Sequence, residues 1–237
     1  MKYKTTNWPS YNTALKQRGS LSIWFDPGMI WVPPPSGKRG RQQQFSRYPA
    51  RMSRADLPCF PLRPGRVHEV CGPAAPVFAA CVAASLEGPV LWLREAWQTE
   101  MFNPLGLLPF LDPARVLLGR PPSQIDSLAL AEESLKDGSL ALVVLEITRP
   151  LDLREGRRLQ LAASTGGTTG LCLIPEGMGS NAAETRWRAM PIFDAAGTDL
   201  TPMRWEIIKN KKGTLGAWNV FWNAKAHRLD LVSSTGK

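Results

Sequence analysis

The sequence predicts an α/β fold: a mostly parallel sheet closed by an antiparallel meander, behind a largely unstructured N-terminal tail. Three observations carry this. Short apolar runs alternate with helical stretches through the middle of the chain, as right-handed strand–helix–strand crossovers require. A strand entering Gly72-Pro73 leads into a small-residue helix, the order in which phosphate-binding loops are built. The C-terminal third alternates apolar and polar residues and is rich in tryptophan, the pattern of strands with one buried face.

The tail is set apart by charge. Residues 1–55 hold ten Lys or Arg and one acid, Asp26, and so carry the whole formal charge of +9. Residues 56–237 hold nineteen basic and nineteen acidic residues. Such a tail is drawn to nucleic acid or anionic surfaces, or stands as a solvated leader. Within it Asn12–Arg18 reads as a short helix, Leu21–Phe25 as extended and Pro33–Gln44 as a basic linker. Lys38, Arg39 and Arg41 are its candidate DNA contacts. The boundary falls at residue 56, leaving 57–237 as one domain of ordinary size.

In the domain, Pro58, Pro61 and Pro64 break any helix before the first strand at Val67–Cys71. A helix follows over Pro76–Ser85 and a buried strand over Val90–Leu93. Ala96–Leu105 is expected to be helical and Val116–Leu118 to be a strand. Ser123–Lys136 carries Ile125, Leu128, Ala129, Ala131 and Leu135 at helical spacing and stops at Asp137-Gly138. Leu140–Ile147 is the strongest strand. Arg154–Ser164 reads as a helix with Arg154, Arg157 and Arg158 on one face, and Leu171–Ile174 as the next buried strand. The segments around Arg186–Arg188, Met203–Lys209, Ala217–Trp222 and His227–Val232 are read as antiparallel strands. Trp187, Trp205, Trp218 and Trp222 then pack a core, or alternatively present a stacking platform for single-stranded DNA.

The turn after the first strand lacks what a phosphate needs. A working loop has a second glycine, then lysine, then Ser or Thr for magnesium. Here Gly72, Pro73, Ala74 and Ala75 lead into Pro76, Val77, Phe78 and Ala79, and no lysine occurs between Lys38 and Lys136. Nucleotide hydrolysis is therefore not expected, nor is a cofactor. Four cysteines without a CxxC pair and two histidines argue against a zinc site and for a reduced, cytoplasmic protein. No apolar stretch approaches a membrane span.

Two resemblances follow from longer motifs. NWPSYN at Asn7–Asn12, LKQRGSLSIWFDP at Leu15–Pro27 and SGKRGRQ at Ser36–Gln42 resemble the N-terminal region of DDE insertion-sequence transposases. That likeness stops near Ser46, and nothing beyond it matches the catalytic domain of that family. It implies a fused fragment; a truncated transposase-related DNA-binding protein is the corresponding alternative.

From about residue 57 to 233 the sequence resembles the RecA superfamily. RVHEVCGP matches the strand entering the loop. Glu95 falls at the place of the catalytic glutamate, and Glu146 at that of the magnesium-associated acid. The nearer resemblance is to ImuA-type RecA-like accessory proteins of induced mutagenesis. HEVCGP, GPVLWL, RRLQLAASTGG, ETRWRAMP and RWEIIKNKKGTLGAWNVFWNAKAHRLDLV carry it. It implies a non-catalytic role in damage-induced (SOS) translesion DNA synthesis beside an ImuB-like Y-family partner and an error-prone replicative-type DNA polymerase. A RecA-type DNA-dependent ATPase is the alternative. Arg186, Arg188, Lys209, Lys211 and Lys212 on the meander are candidate partner or DNA contacts.

Overall fold

The computed structural model describes residues 57–100, 103–193 and 201–232. The transposase-like segment, with Lys38, Arg39 and Arg41, lies outside them.

Nine strands form one sheet in the order β3-β2-β4-β5-β1-β6-β7-β8-β9. The first five are β1 (Val67–Cys71), β2 (Val90–Leu93), β3 (Val116–Gly119), β4 (Leu142–Glu146) and β5 (Thr169–Leu173), all parallel. β6 (Thr185–Pro191), β7 (Thr201–Asn210), β8 (Gly216–Asn223) and β9 (Arg228–Val232) complete it.

β6 corrects the expected meander. It runs parallel to β1, pairing Glu69 with Arg186 and Val70 with Trp187, and antiparallel to β7 on its other side. The chain leaves β5, passes β1 and re-enters the sheet in the direction of β1. Only β7, β8 and β9 run antiparallel to their predecessors. Alternation along a strand reports which face is buried and says nothing of direction.

Helix α1 (Ala75–Ala84) is apolar all round and buried along nearly its whole length, with Pro76 in its first turn. The helix expected over Ala96–Leu105 is replaced by a turn at Glu95–Gln98 and the short α2 (Pro104–Leu107). Pro104 cannot sit inside a helix; it starts one, with the Asn103 side chain accepting from the Leu105 amide. α3 (Gln124–Asp137) begins at the Ser123 cap and ends at Gly138. α4 (Leu153–Gly166) opens with a capping box: Glu155 N–H donates to Asp152 (2.7 Å) and Asp152 N–H to Glu155 (2.9 Å).

The helices divide between the faces. α1 packs on Val70, Trp92, Val144, Leu171 and the tryptophans of the last four strands. α3 and α4 cover the other face through Leu128, Leu135, Leu159 and Ala163 against Val67, Leu93, Val143, Leu145 and Cys172. Only part of the expected α3 face is buried, since Ile125 and Ala129 are exposed. The tryptophans are core residues: Trp187, Trp205 and Trp222 are buried and Trp218 packs against them. Burial excludes Trp187, Trp205 and Trp222 as a stacking platform, because buried rings offer no face to a base.

Candidate functional site

The loop after β1 sits where a phosphate would bind and is closed from within. Gly72 adopts φ +95°, and a Cβ there would lie 2.4 Å from the Ala189 carbonyl, so only glycine fits. Ala74 N–H donates to Ala189 O on β6 (3.1 Å), and Ala75 N–H to Gly72 O (3.0 Å). Phe78 N–H is inside the helix, bonded to Ala74 O (2.9 Å). Pro73 and Pro76 have no N–H. The amides that would cradle a phosphate are thus bonded or missing at five of these positions.

Counting from Gly72 in the phosphate-loop spacing, the lysine place falls on Phe78 and the magnesium-binding hydroxyl on Ala79. Both are fully buried. The Phe78 ring lies 4.4 Å from that of Trp205 and 5.4 Å from that of Trp187. Where the motif would point a cation outward at phosphate, this chain points an aromatic ring inward at its core.

The two acids also have internal partners. Glu146, at the end of β4, takes a two-pronged ion pair from Arg94: Nη2 to Oε1 and Nε to Oε2, each 2.9 Å. Trp92 Nε1–H donates to the same carboxylate (2.8 Å). Glu95 is buried beyond β2 and accepts from the Thr148 hydroxyl. Gln124 at the start of α3 fixes that neighbourhood, accepting from the amides of Thr148 (2.8 Å) and Arg149 (2.9 Å). Glu95 therefore turns toward α3, whereas Glu146 pairs with Trp92, which packs against the α1 side.

The basic residues of the last strands bind the protein itself. Arg186 Nε donates to the buried Glu69 (2.7 Å) and its Nη2 to Ser180 O (2.9 Å); Ser180 N–H donates to Glu69 (2.8 Å). Gly179 leaves the guanidinium its room, since a Cβ there would lie 1.7 Å from it. Lys209 Nζ donates to the carbonyls of Ser180, Asn181 and Ala183, and Lys211 Nζ to Ala182 O. Burial, with Arg186 nearby, lowers the Lys209 pKa. Together they fasten the loop from β5 to β6. Arg188 pairs with Glu176 (3.1 Å) and Glu206 (3.3 Å), while the Lys212 side chain is exposed.

His68 is buried on β1 and neutral. Its Nε2–H donates to Arg63 O (3.1 Å), which leaves Nδ1 to accept from the Thr185 hydroxyl (2.7 Å). Thr185 in turn accepts from Trp187 Nε1–H (2.9 Å). Burial lowers the His68 pKa to about 4, against the carbonyl bond to Arg63 that raises it. Cys81 and Cys172 are buried and their thiols are pushed upward by desolvation. Among the described residues there is no cluster of three or more metal-ligating side chains, and no helix long and apolar enough to cross a membrane.

Arg94, Gln124, Thr148 and Glu69 escaped the sequence reading. Arg94 had one usable signal, a guanidinium beside Glu95 at a strand end. Glu69 had another, an acid inside an otherwise buried strand.

No protein-family model matches the chain. It is 32% identical over 194 residues to protein ImuA of Caulobacter vibrioides strain NA1000, covering 68% of this chain and 77% of that protein. Protein ImuA of strain ATCC 19089 of the same species matches to the same extent. The crystal structure of the RadB recombinase is similar at a TM-score of 0.50 and 15% identity, covering 69% of this chain and 90% of that one. The strand order and this likeness make the fold RecA-like. On the identity and shared length with its relatives, the chain belongs to the ImuA family.

Proposed function

We propose that this chain is an accessory protein of damage-induced mutagenesis that acts through protein contacts, without hydrolysing nucleotide. Family membership supports the accessory role. The absence of catalysis rests on one observation above all: the lysine place of the phosphate loop is Phe78, buried against Trp187 and Trp205. Phosphoryl transfer needs phosphate charge neutralised and a metal clamped. A buried ring supplies neither, and Arg94 already holds the acid that would take the metal.

In this reading the RecA-like sheet is kept as a rigid platform in the cytoplasm. Its partners are an ImuB-like Y-family protein and an error-prone replicative-type polymerase, with DNA contacts contributed by the basic N-terminal residues. Deleting the gene should lower the damage-induced mutation frequency, and a copy carrying Glu95→Gln should restore it fully. Unchanged mutagenesis after deletion overturns the accessory role. A well-folded Glu95→Gln protein that fails to restore it overturns the non-catalytic one.

A further inference from the structure

Residues 174–184 carry the chain from β5 across β1 to β6 with turns and no helix. Parallel strands are ordinarily joined through a crossover helix whose apolar face packs on the sheet. Here Ile174 N–H bonds Val70 O at one end and Glu184 N–H bonds Val67 O at the other, each at 2.9 Å. Ser180, Ala182, Ala183 and Glu184 are buried. Helix α4 lies against them at Gly156, where a Cβ would come within 2.4 Å of Ser180 Oγ. Yet among the described residues none from 175 to 184 belongs to either apolar core. Apolar packing is not what holds this segment down.

Cations hold it instead. The carbonyls of Ser180, Asn181, Ala182 and Ala183 each accept from a basic side chain. Lys209 Nζ reaches Ser180 O (3.0 Å), Asn181 O (2.9 Å) and Ala183 O (3.1 Å). Lys211 Nζ takes Ala182 O (2.6 Å), and Arg186 Nη2 takes Ser180 O (2.9 Å). The ring closes at Glu69, 1% exposed, which accepts from Arg186 Nε (2.7 Å) and Ser180 N–H (2.8 Å). Losing a cation here leaves enclosed carbonyls without donors, which costs more than an ordinary hydrogen bond contributes. With no apolar contact to resist it, the cheapest relief is to lift the segment into water.

We infer that residues 175–184 form a charge-latched strap, which opens as a unit when the Lys209 ammonium is lost and leaves the sheet closed beneath it. Lys209 makes three of the five cationic bonds to the strap carbonyls. Opening bares the Glu69 carboxylate and the Arg186 guanidinium on the α4 side of β1 and β6. The core strands β4 and β5 stay closed, because their side chains pack on α1, α3 and α4.

Amide hydrogen exchange on the full-length chain tests this, read at Ser180, Ala182 and Glu184 and, for the core, at Val144 and Leu171. In the unaltered chain the strap amides should exchange faster than the core amides, at rates that low urea leaves unchanged. Lys209→Met should speed the strap amides roughly tenfold or more and leave Val144 and Leu171 as they were. Lys209→Arg, which keeps the charge and its donors, should stay near the parental rates. Strap amides that follow Leu171 in both rate and urea dependence overturn the inference. So does Lys209→Met that speeds every amide alike or none. Should Lys209→Met fail to fold, the unaltered chain decides, since a strap that opens only with the whole domain is no strap.

Discussion

Arg94 and Glu146 face each other across adjacent strand ends in a bidentate ion pair, with both side chains almost enclosed, at 12% and 13% exposure. A guanidinium fork on a carboxylate is the strongest common form of this contact, and the Trp92 indole adds a third donor. The Glu146 carboxylate is thus supplied with its counter-charge by Arg94 at the end of the neighbouring strand.

Removing that cation alone should hurt more than replacing both partners. Arg94→Met leaves an enclosed carboxylate without its counter-charge, and about 3 kcal/mol of stability should be lost. Arg94→Met/Glu146→Leu should regain most of it. Urea unfolding midpoints of the two variants are the check; equal loss in both would mean that the pair contributes little.

Phe78 is a core residue, and its substitutions should behave accordingly. Phe78→Ala should cost about 3–5 kcal/mol by leaving a cavity beside Trp205. Phe78→Lys rebuilds part of the phosphate motif yet should destabilise at least as much, because the ammonium would be buried. Thermal unfolding with and without ATP reads both points; a stable Phe78→Lys protein that gains nucleotide affinity would contradict the packing described.

Most of the strand and helix pattern was legible, and the exceptions have local reasons. Val90–Leu93 is a short apolar run after Gly88-Pro89, which suffices to mark it, whereas Val67–Cys71, with His68 and Glu69 inside it, is marked by the Gly72-Pro73 turn that it enters. The helix expected over Ala96–Leu105 fails at Pro104, which can begin a helix and cannot sit inside one. The direction of β6 was hidden because a residue pattern carries burial, while direction depends on where the preceding loop crosses the sheet. At the site, the missing lysine was visible in the sequence, but its physical replacement was not. That Phe78 joins Trp187 and Trp205, or that Arg94 finds Glu146, depends on pairs from 52 to 127 residues apart in the chain.

His68 makes stability depend on pH. The unfolded chain takes up a proton near pH 6.5, whereas the folded chain resists it down to about 4. Stability is therefore complete above pH 6.5 and is lost as pH falls toward 4, by up to about 3 kcal/mol. His68→Gln should flatten unfolding free energy over that window. An undiminished slope in the variant would place the titration elsewhere.

Non-specific DNA binding should reside in the N-terminal residues, which carry the net charge. Replacing Lys38, Arg39 and Arg41 by glutamine in the full chain should weaken it and reduce the salt slope by about 2–3. The Arg186→Gln variant should leave that slope unchanged, because its guanidinium is held by Glu69. Fluorescence anisotropy with a labelled oligonucleotide across salt concentrations gives both slopes, and an unaltered slope in the triple variant would refute the assignment.

The most direct test of a closed phosphate loop is the unfolding temperature of the full chain in magnesium and millimolar ATP. A ligand at a hundred times its dissociation constant stabilises a protein by about 2.7 kcal/mol, which is readily seen as a rise in Tm. With Ala74 and Ala75 bonded internally and Phe78 in the core, no rise should occur at any ATP concentration. A saturable rise, abolished by Glu146→Gln, would show that the loop opens to nucleotide and would contradict the account.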